Sequence, residues 1–355
     1  MRSTTLEKFR DPELAKRIIN SLKGWDQPVR FMEVCGTHTM AIGRWGLRKL
    51  LPGSIDLISG PGCPVCVTPT SVIDACLDLE GVTIAIFGDL LRVPGRKGTL
   101  EEARGSGLDV RVVYSPADAL KIAGERETVF VGIGFETTSP TIGATIIKAQ
   151  EIGLKRFSVL PAFKLIPPAL DALLSSGETR IDGFILPGHV STIIGSEPYK
   201  FIAKDYLKGG VIAGFEPVDI LQAISYLIEQ KKREKPAIEI AYRRSVTPDG
   251  NLKAKEVIHR VFETTDGLWR GLGWIKESGL RIRDEFREFD ASARYSLKQE
   301  EVSDDPRCRC GDVLKGLIKP NRCSLFSNTC NPANPIGPCM VSSEGSCAAY
   351  YQYER

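Results

Sequence analysis

Eight short apolar runs, each followed by a turn and then a stretch able to form a helix, recur between residues 30 and 217 of this 355-residue chain. They read RFMEV (30–34), IDLIS (55–59), VTIAIF (82–87), DVRVVY (109–114), TVFVGI (128–133), RFSVL (156–160), DGFIL (182–186) and GVIAGF (210–215). Near-continuous β-branched strands that alternate with helical segments are the pattern of parallel sheets covered on both faces. The fold class is therefore α/β, and two small parallel-sheet domains are expected. The expected division falls near residue 120, where YSPADALKIAGERET (114–128) reads as a polar helical crossover, giving domains 27–120 and 121–232 with the charged run KKREKP at the far boundary.

In open parallel sheets, ligands bind beyond the carboxyl ends of the strands. The turns at those ends read CGTHT, GPGCPVC, GDLLRVPG, GFETTSP, PAFKL, PGHVSTIIG and GFEP. They hold Cys35, Cys63, Cys66 and two of the chain's three histidines, His38 and His189. Composition does not compete with this site-based reading: 42% hydrophobic and 26% charged residues with a net charge of +3 give no reason to invoke nucleic acid or an anionic membrane. The N-terminal stretch MRSTTLEKFRDPELAKRIINSLK lacks the apolar core of a signal peptide, and no run approaches the roughly 18 apolar residues of a membrane span. A cytoplasmic monomer that forms transient complexes is expected.

Thiols stay reduced in the cytosol, so ten cysteines point to metal or redox chemistry before structural disulfides. Cys63-Pro-Val-Cys66 follows a strand and precedes the helical stretch TPTSVIDACLDL, a placement that favours the thiolate and suits either a redox pair or half of a metal site. Cys76, mid-helix at an apolar position, reads as a core residue. If the first two strands are neighbours, Cys35, Cys63, Cys66 and His38 meet in one cleft, a donor set suited to a soft metal such as iron. GIGFETT (132–138) lacks the third glycine and the acidic residue of a dinucleotide fingerprint, so Glu136 and Thr137 read as polar lining of the interdomain cleft. His189 is either a hydrogen-bond donor and proton shuttle there or purely structural. Trp269 and Trp274, in the charged and aromatic stretch 237–300, read as packing residues.

Six cysteines crowd the last 48 residues: Cys308, Cys310, Cys323, Cys330, Cys339 and Cys347. This tail is rich in Pro, Asn, Gly and Ser and poor in large aliphatics, so packing alone cannot order it. A metal staple is expected, and all-thiolate ligation suits zinc or an iron–sulfur cluster. Structural zinc usually shows close CxxC pairs, which the tail lacks, so the wide spacing leans towards a cluster.

The motifs CGTHT, GPGCPVC, GFETT and PGHVS, with CRCGDVLKG and MVSSEGSCAAYY in the tail, resemble the HypD family of nickel–iron hydrogenase maturation factors, over nearly the whole chain. The resemblance implies two α/β domains, thioredoxin-like or Rossmann-like, and a third cysteine-rich domain built from both chain ends, here 1–26 and 233–355, holding a 4Fe-4S cluster. The family's spacing C-x14-C-x6-C-x16-C selects Cys308, Cys323, Cys330 and Cys347 as cluster ligands and leaves Cys310 and Cys339 as bystanders. It further implies a scaffold rather than a conventional turnover enzyme, acting with HypC. The pair carries the iron that receives cyanide and carbon monoxide ligands before insertion into the hydrogenase large subunit, and HypE delivers the cyanide. Cys35 would hold that iron with His38 beside it, and Cys63 and Cys66 would cycle between dithiol and disulfide, as in ferredoxin:thioredoxin reductase. Two other classes compete: a free-standing thiol-disulfide oxidoreductase and a zinc-stabilised interaction module.

Overall fold

The computed structural model describes residues 7–297, 300–302 and 304–355. All eight apolar runs form strands: β1 Val29–Glu33, β2 Ile55–Ser59, β3 Thr83–Ile86, β4 Val110–Val112, β5 Thr128–Gly134, β6 Phe157–Phe163, β7 Gly183–Pro187 and β8 Gly209–Ala213. Three more follow, β9 Ile238–Ile240, β10 Phe262–Trp269 and β11 Gly273–Ile282. One parallel sheet has the order β2-β1-β7-β8-β9, a second has β4-β3-β5-β6, and β10 and β11 form an antiparallel hairpin.

Strand alternation explains why each sheet is apolar on both sides. Met32 of β1, Ile84 and Ile86 of β3 and Val129 and Val131 of β5 enter one core shared by the two sheets. The opposite side chains of the first sheet, Val29, Phe31 and Val211 among them, pack under helices Pro12–Leu22, Gly36–Arg44 and Pro217–Arg233. Those of the second, Ala85, Phe130 and Phe157, pack under helices Pro116–Ala123, Ser139–Glu151 and Leu252–Val261 and the hairpin.

The α/β class with two parallel sheets and a cysteine-rich C-terminal segment is as expected; the boundaries are not. The first sheet draws on both ends of the expected domains, 29–59 and 183–240, with the whole second sheet (83–163) inserted between them. The segment 114–128 is a crossover within the second sheet, between β4 and β5, so the division at residue 120 into 27–120 and 121–232 does not hold. Nor do the described parts of 1–26 and 233–300 form one unit with the tail, although Gly271 packs against Gly311; residues 1–6, 298 and 299 lie outside the described residues. Helix Pro12–Leu22 packs on Pro217–Arg233, β9 edges the first sheet, and the hairpin covers the second. Trp269 is buried and donates Nε1–H to Ser278 Oγ (2.7 Å), whereas Trp274, also expected to pack, is 54% exposed. Among the described residues no helix is long and apolar enough to cross a membrane.

Candidate functional site

In the first sheet the strand order reverses at β1 and β7. The helix that follows β1 enters the outer core, while the segment after β7 sends Val190 into the core between the sheets. The two connections leave on opposite faces and open a crevice at the carboxyl ends of β1 and β7, the place where such sheets take ligands. Cys35 and His189 stand at that crevice.

Cys35 is the N-cap of helix Gly36–Arg44 and is 8% exposed. Burial, then the nearby Glu344 carboxylate, pushes its thiol up to about 12, opposed by the backbone N–H groups of His38 and Thr37. Two residues earlier, Glu33 closes β1 fully buried; it accepts from Thr39 Oγ1 (2.6 Å) and from the Cys35 N–H (3.3 Å). Burial raises this carboxyl to about 7 against those bonds.

β1 and β2 are parallel neighbours, so the turn after β2 lies directly against Cys35. Gly36 N–H donates to Gly62 O (2.8 Å), and a Cβ on Gly62 would overlap the backbone nitrogen of Cys35. One residue on, Cys63 caps the one-turn helix Pro64–Val67, its sulfur accepting from the Cys66 N–H (3.2 Å), and the two cysteines are joined as a disulfide. Both are buried, at 3% and 0%. Cys76 is fully buried in the shared core, as expected of a core residue.

On the other side of Cys35, His38 is fully buried, with Nε2 2.9 Å from the Gly214 carbonyl and Nδ1 without a hydrogen-bond partner. Burial lowers its pKa to about 4, so the ring is neutral, Nε2 carries the proton and Nδ1 keeps a free lone pair. Phe215 contacts both imidazoles, with centroids 4.8 Å from His38 and 3.9 Å from His189. Glu136 and Thr137 lie at the carboxyl edge of the second sheet instead. Glu136 is buried, accepts from the Ile166 N–H (2.9 Å) through Oε1, and leaves Oε2 unpartnered; burial raises it to about 7. Buried Tyr199 lies within electrostatic reach of both Glu136 and Cys35, so the two sheet edges look onto one interior.

In the tail, Cys310 and Cys339 are paired as a second disulfide. Disulfides were not expected of a reduced compartment, and this pair joins the two cysteines that the family spacing sets aside. Cys308, Cys323, Cys330 and Cys347 remain free and line one small pocket with Leu325, Phe326 and Met340. Burial pushes Cys308 up to about 11 and Cys347 well above its ordinary value; Cys323 and Cys330 add to both shifts, and Cys308 adds to that of Cys347. Ile336 N–H donates to Cys330 Sγ (3.4 Å), and the Cys310 N–H favours the Cys308 thiolate. Among the described residues no group of His, Cys, Asp and Glu is arranged to hold a single ion. Four thiols lining one pocket, with N–H···S bonds of the kind that tune iron–sulfur centres, are the donor chemistry such a centre uses. That donor set fits a cluster.

Sequence reasoning found the thiols and imidazoles because residue type carries them. It missed Glu33, Tyr199, Phe215 and Glu344, whose roles are purely spatial, although RFMEV, GFEP and MVSSEGSC had each been marked.

Comparison with known proteins identifies the family. The HypD family profile, described as "Hydrogenase formation hypA family", matches residues 12–354. Hydrogenase maturation factor HypD of Escherichia coli strain K12 is 45% identical over 99% of this chain and 98% of that protein. HypD of Cupriavidus necator is 46% identical, covering 99% and 97%, and that of Azotobacter vinelandii 44%, covering 99% and 97%. The chain belongs to the HypD family of hydrogenase maturation factors.

Proposed function

We propose that this protein is the redox-active scaffold on which, with HypC and HypE as partners, iron acquires cyanide and carbon monoxide ligands for the large subunit of a nickel–iron hydrogenase. The observation that carries the reading is the direct packing of the Cys35 turn on the turn of the Cys63–Cys66 pair. Cys35 holds the iron as substrate. Its raised pKa means that the thiol gives up a proton as iron is captured, and the Thr37 and His38 N–H groups stabilise the thiolate formed. Neutral His38, whose Nδ1 has no partner, would accept a hydrogen bond from a ligand or water at that centre.

Release of cyanide from a carrier thiol cleaves the sulfur–carbon bond and consumes two electrons, giving thiolate and cyanide. Oxidation of the Cys63/Cys66 dithiol to the disulfide supplies two electrons and releases two protons. Cys308, Cys323, Cys330 and Cys347 would hold a 4Fe-4S cluster, which when bound stores and passes single electrons. The Cys310–Cys339 bridge links two lining residues of that pocket, and helix Pro64–Val67 packs on the segment Pro338–Met340. Near-complete burial of Cys63 and Cys66 argues against a free-standing reductant of protein disulfides, which needs an accessible nucleophile.

The test is Cys35→Ser in the complex purified with its partners. The expected outcome is loss of the cyanide and carbonyl infrared bands with iron and sulfide of the tail retained; bands of wild-type intensity would refute the assignment.

A further inference from the structure

The tail does more than close a pocket. Glu344 lies over the first turn of the helix that Cys35 caps: its carboxylate accepts from Thr37 Oγ1 at 2.6 Å, and its backbone and Cβ fill the space that a side chain on Gly36 would occupy. Seven residues further, Gly43 touches the Tyr353 ring, so helix Ser346–Tyr353 runs alongside Gly36–Arg44 in the same direction. The Arg48–Glu354 ion pair, with Arg48 stacked over Tyr350 at 4.7 Å, fixes their far ends. Cys35 and Cys347 therefore sit at matching ends of two parallel helices.

The loop carrying Glu344 is held from the thiol pocket. Val341 and Ser342 N–H both donate to Pro338 O (3.0 and 3.3 Å), Gly345 N–H donates to Ser342 O (2.9 Å), and the Glu344 N–H donates to Ser342 Oγ (3.3 Å). Ser342 Oγ in turn donates to Asp89 at the carboxyl edge of the second sheet (3.3 Å). Cys339 and Cys347, which line the pocket, bracket this loop on either side.

We propose that Glu344 is a positioning residue through which an assembled four-thiol centre organises the Cys35 turn: the centre fixes the loop, and the Glu344–Thr37 bond fixes the turn that presents the thiol. This rests on reading Cys308, Cys323, Cys330 and Cys347 as one metal-bound centre. Cys35 is then shielded while the centre is intact and released when it is lost.

The experiment measures Cys35 alkylation by iodoacetamide, read by peptide mass spectrometry on the full chain under anaerobic conditions, with iron and acid-labile sulfide assayed on the same samples. Glu344→Ala and Thr37→Val are each expected to speed Cys35 alkylation about tenfold, the effect of losing one strong hydrogen bond, with metal content unchanged. Glu344→Gln keeps the acceptor but removes the charge that raises the Cys35 thiol, so its alkylation rate should fall between wild type and Glu344→Ala. Cys347→Ala should speed alkylation as much as Glu344→Ala, and the double variant no further. If Gln behaves as Ala, the effect is through-space charge and the positioning role is refuted. Alkylation unchanged in Glu344→Ala and Thr37→Val refutes it as well. Wild-type protein without iron or sulfide would overturn the metal-centre reading, and with it the coupling, while the Glu344 and Thr37 variants would still report on the bond itself.

Discussion

Burial of ionisable groups dominates the crevice at the scale of single residues, and it makes a pH prediction. Folded Glu136 keeps its proton up to about 7, while in the unfolded chain it ionises near 4.5. The native state then binds more protons than the unfolded state between those values, so this residue's contribution is full below about 4.5 and is lost as pH rises through 7. Glu136→Gln retains the acceptor for the Ile166 N–H and removes the titration. Relative to wild type it should gain stability from pH 5 to pH 8, by up to about 3 kcal/mol, read from urea unfolding at each pH. Parallel pH profiles would show that Glu136 is not the group responsible. Depressed His38 acts with the opposite sign in both proteins, losing its contribution as pH falls from 6.5 through about 4, and it cancels in the comparison. The candidate site was legible to the extent that chemistry is written in residue type: Cys35, Cys63, Cys66 and His38 stood out as rare residues in turns. Phe215 and Tyr199 are common core residues, and only the fold brings them against an imidazole or between two sheet edges.

Elements were more legible than their neighbours. An apolar run of five residues states that a strand is buried on both faces, and all eight runs became strands. It does not state which strand lies beside it, and so β7, distant in sequence, returns to flank β1 and brings β8 in on its other side. The β10–β11 hairpin escaped because a register shift between Thr265 and Gly267 breaks strict alternation. The signal available was the glycine pair Gly271 and Gly273, both at positive φ, between two aromatic-containing runs. Packing of the turns after β1 and β2 gives the prediction at this scale. Gly62→Ala forces a methyl against the Cys35 backbone and should cost about 1–3 kcal/mol, whereas Gly53→Ala, with open space around it, should stay within about 0.5 kcal/mol of wild type. Urea midpoints compare them directly; equal midpoints would mean that the two turns can separate freely.

For the molecule as a whole, the two sheets and the tail differ in what orders them. The sheets share one extended apolar core, while the tail's own buried cluster comprises Leu325, Cys330 and Met340. Two staples can make up the difference. The Cys310–Cys339 bridge spans a sequence separation of 29 and removes loop entropy equivalent to about 3–4 kcal/mol. A metal centre bound by the four free thiols would contribute on the order of 10 kcal/mol. If the centre is the dominant staple, removing it anaerobically with a chelator and an oxidant should speed amide exchange across residues 308–347 by roughly a hundredfold or more, leaving β1, β5 and β8 protected. Hydrogen exchange by mass spectrometry separates these regions. Exchange in the tail that changes only when Cys310 and Cys339 are also reduced would assign the order to the disulfide. Loss of protection in the sheets as well would mean that the tail is part of a single cooperative unit, which the packing of Ser346–Tyr353 along Gly36–Arg44 makes the natural route for such spread.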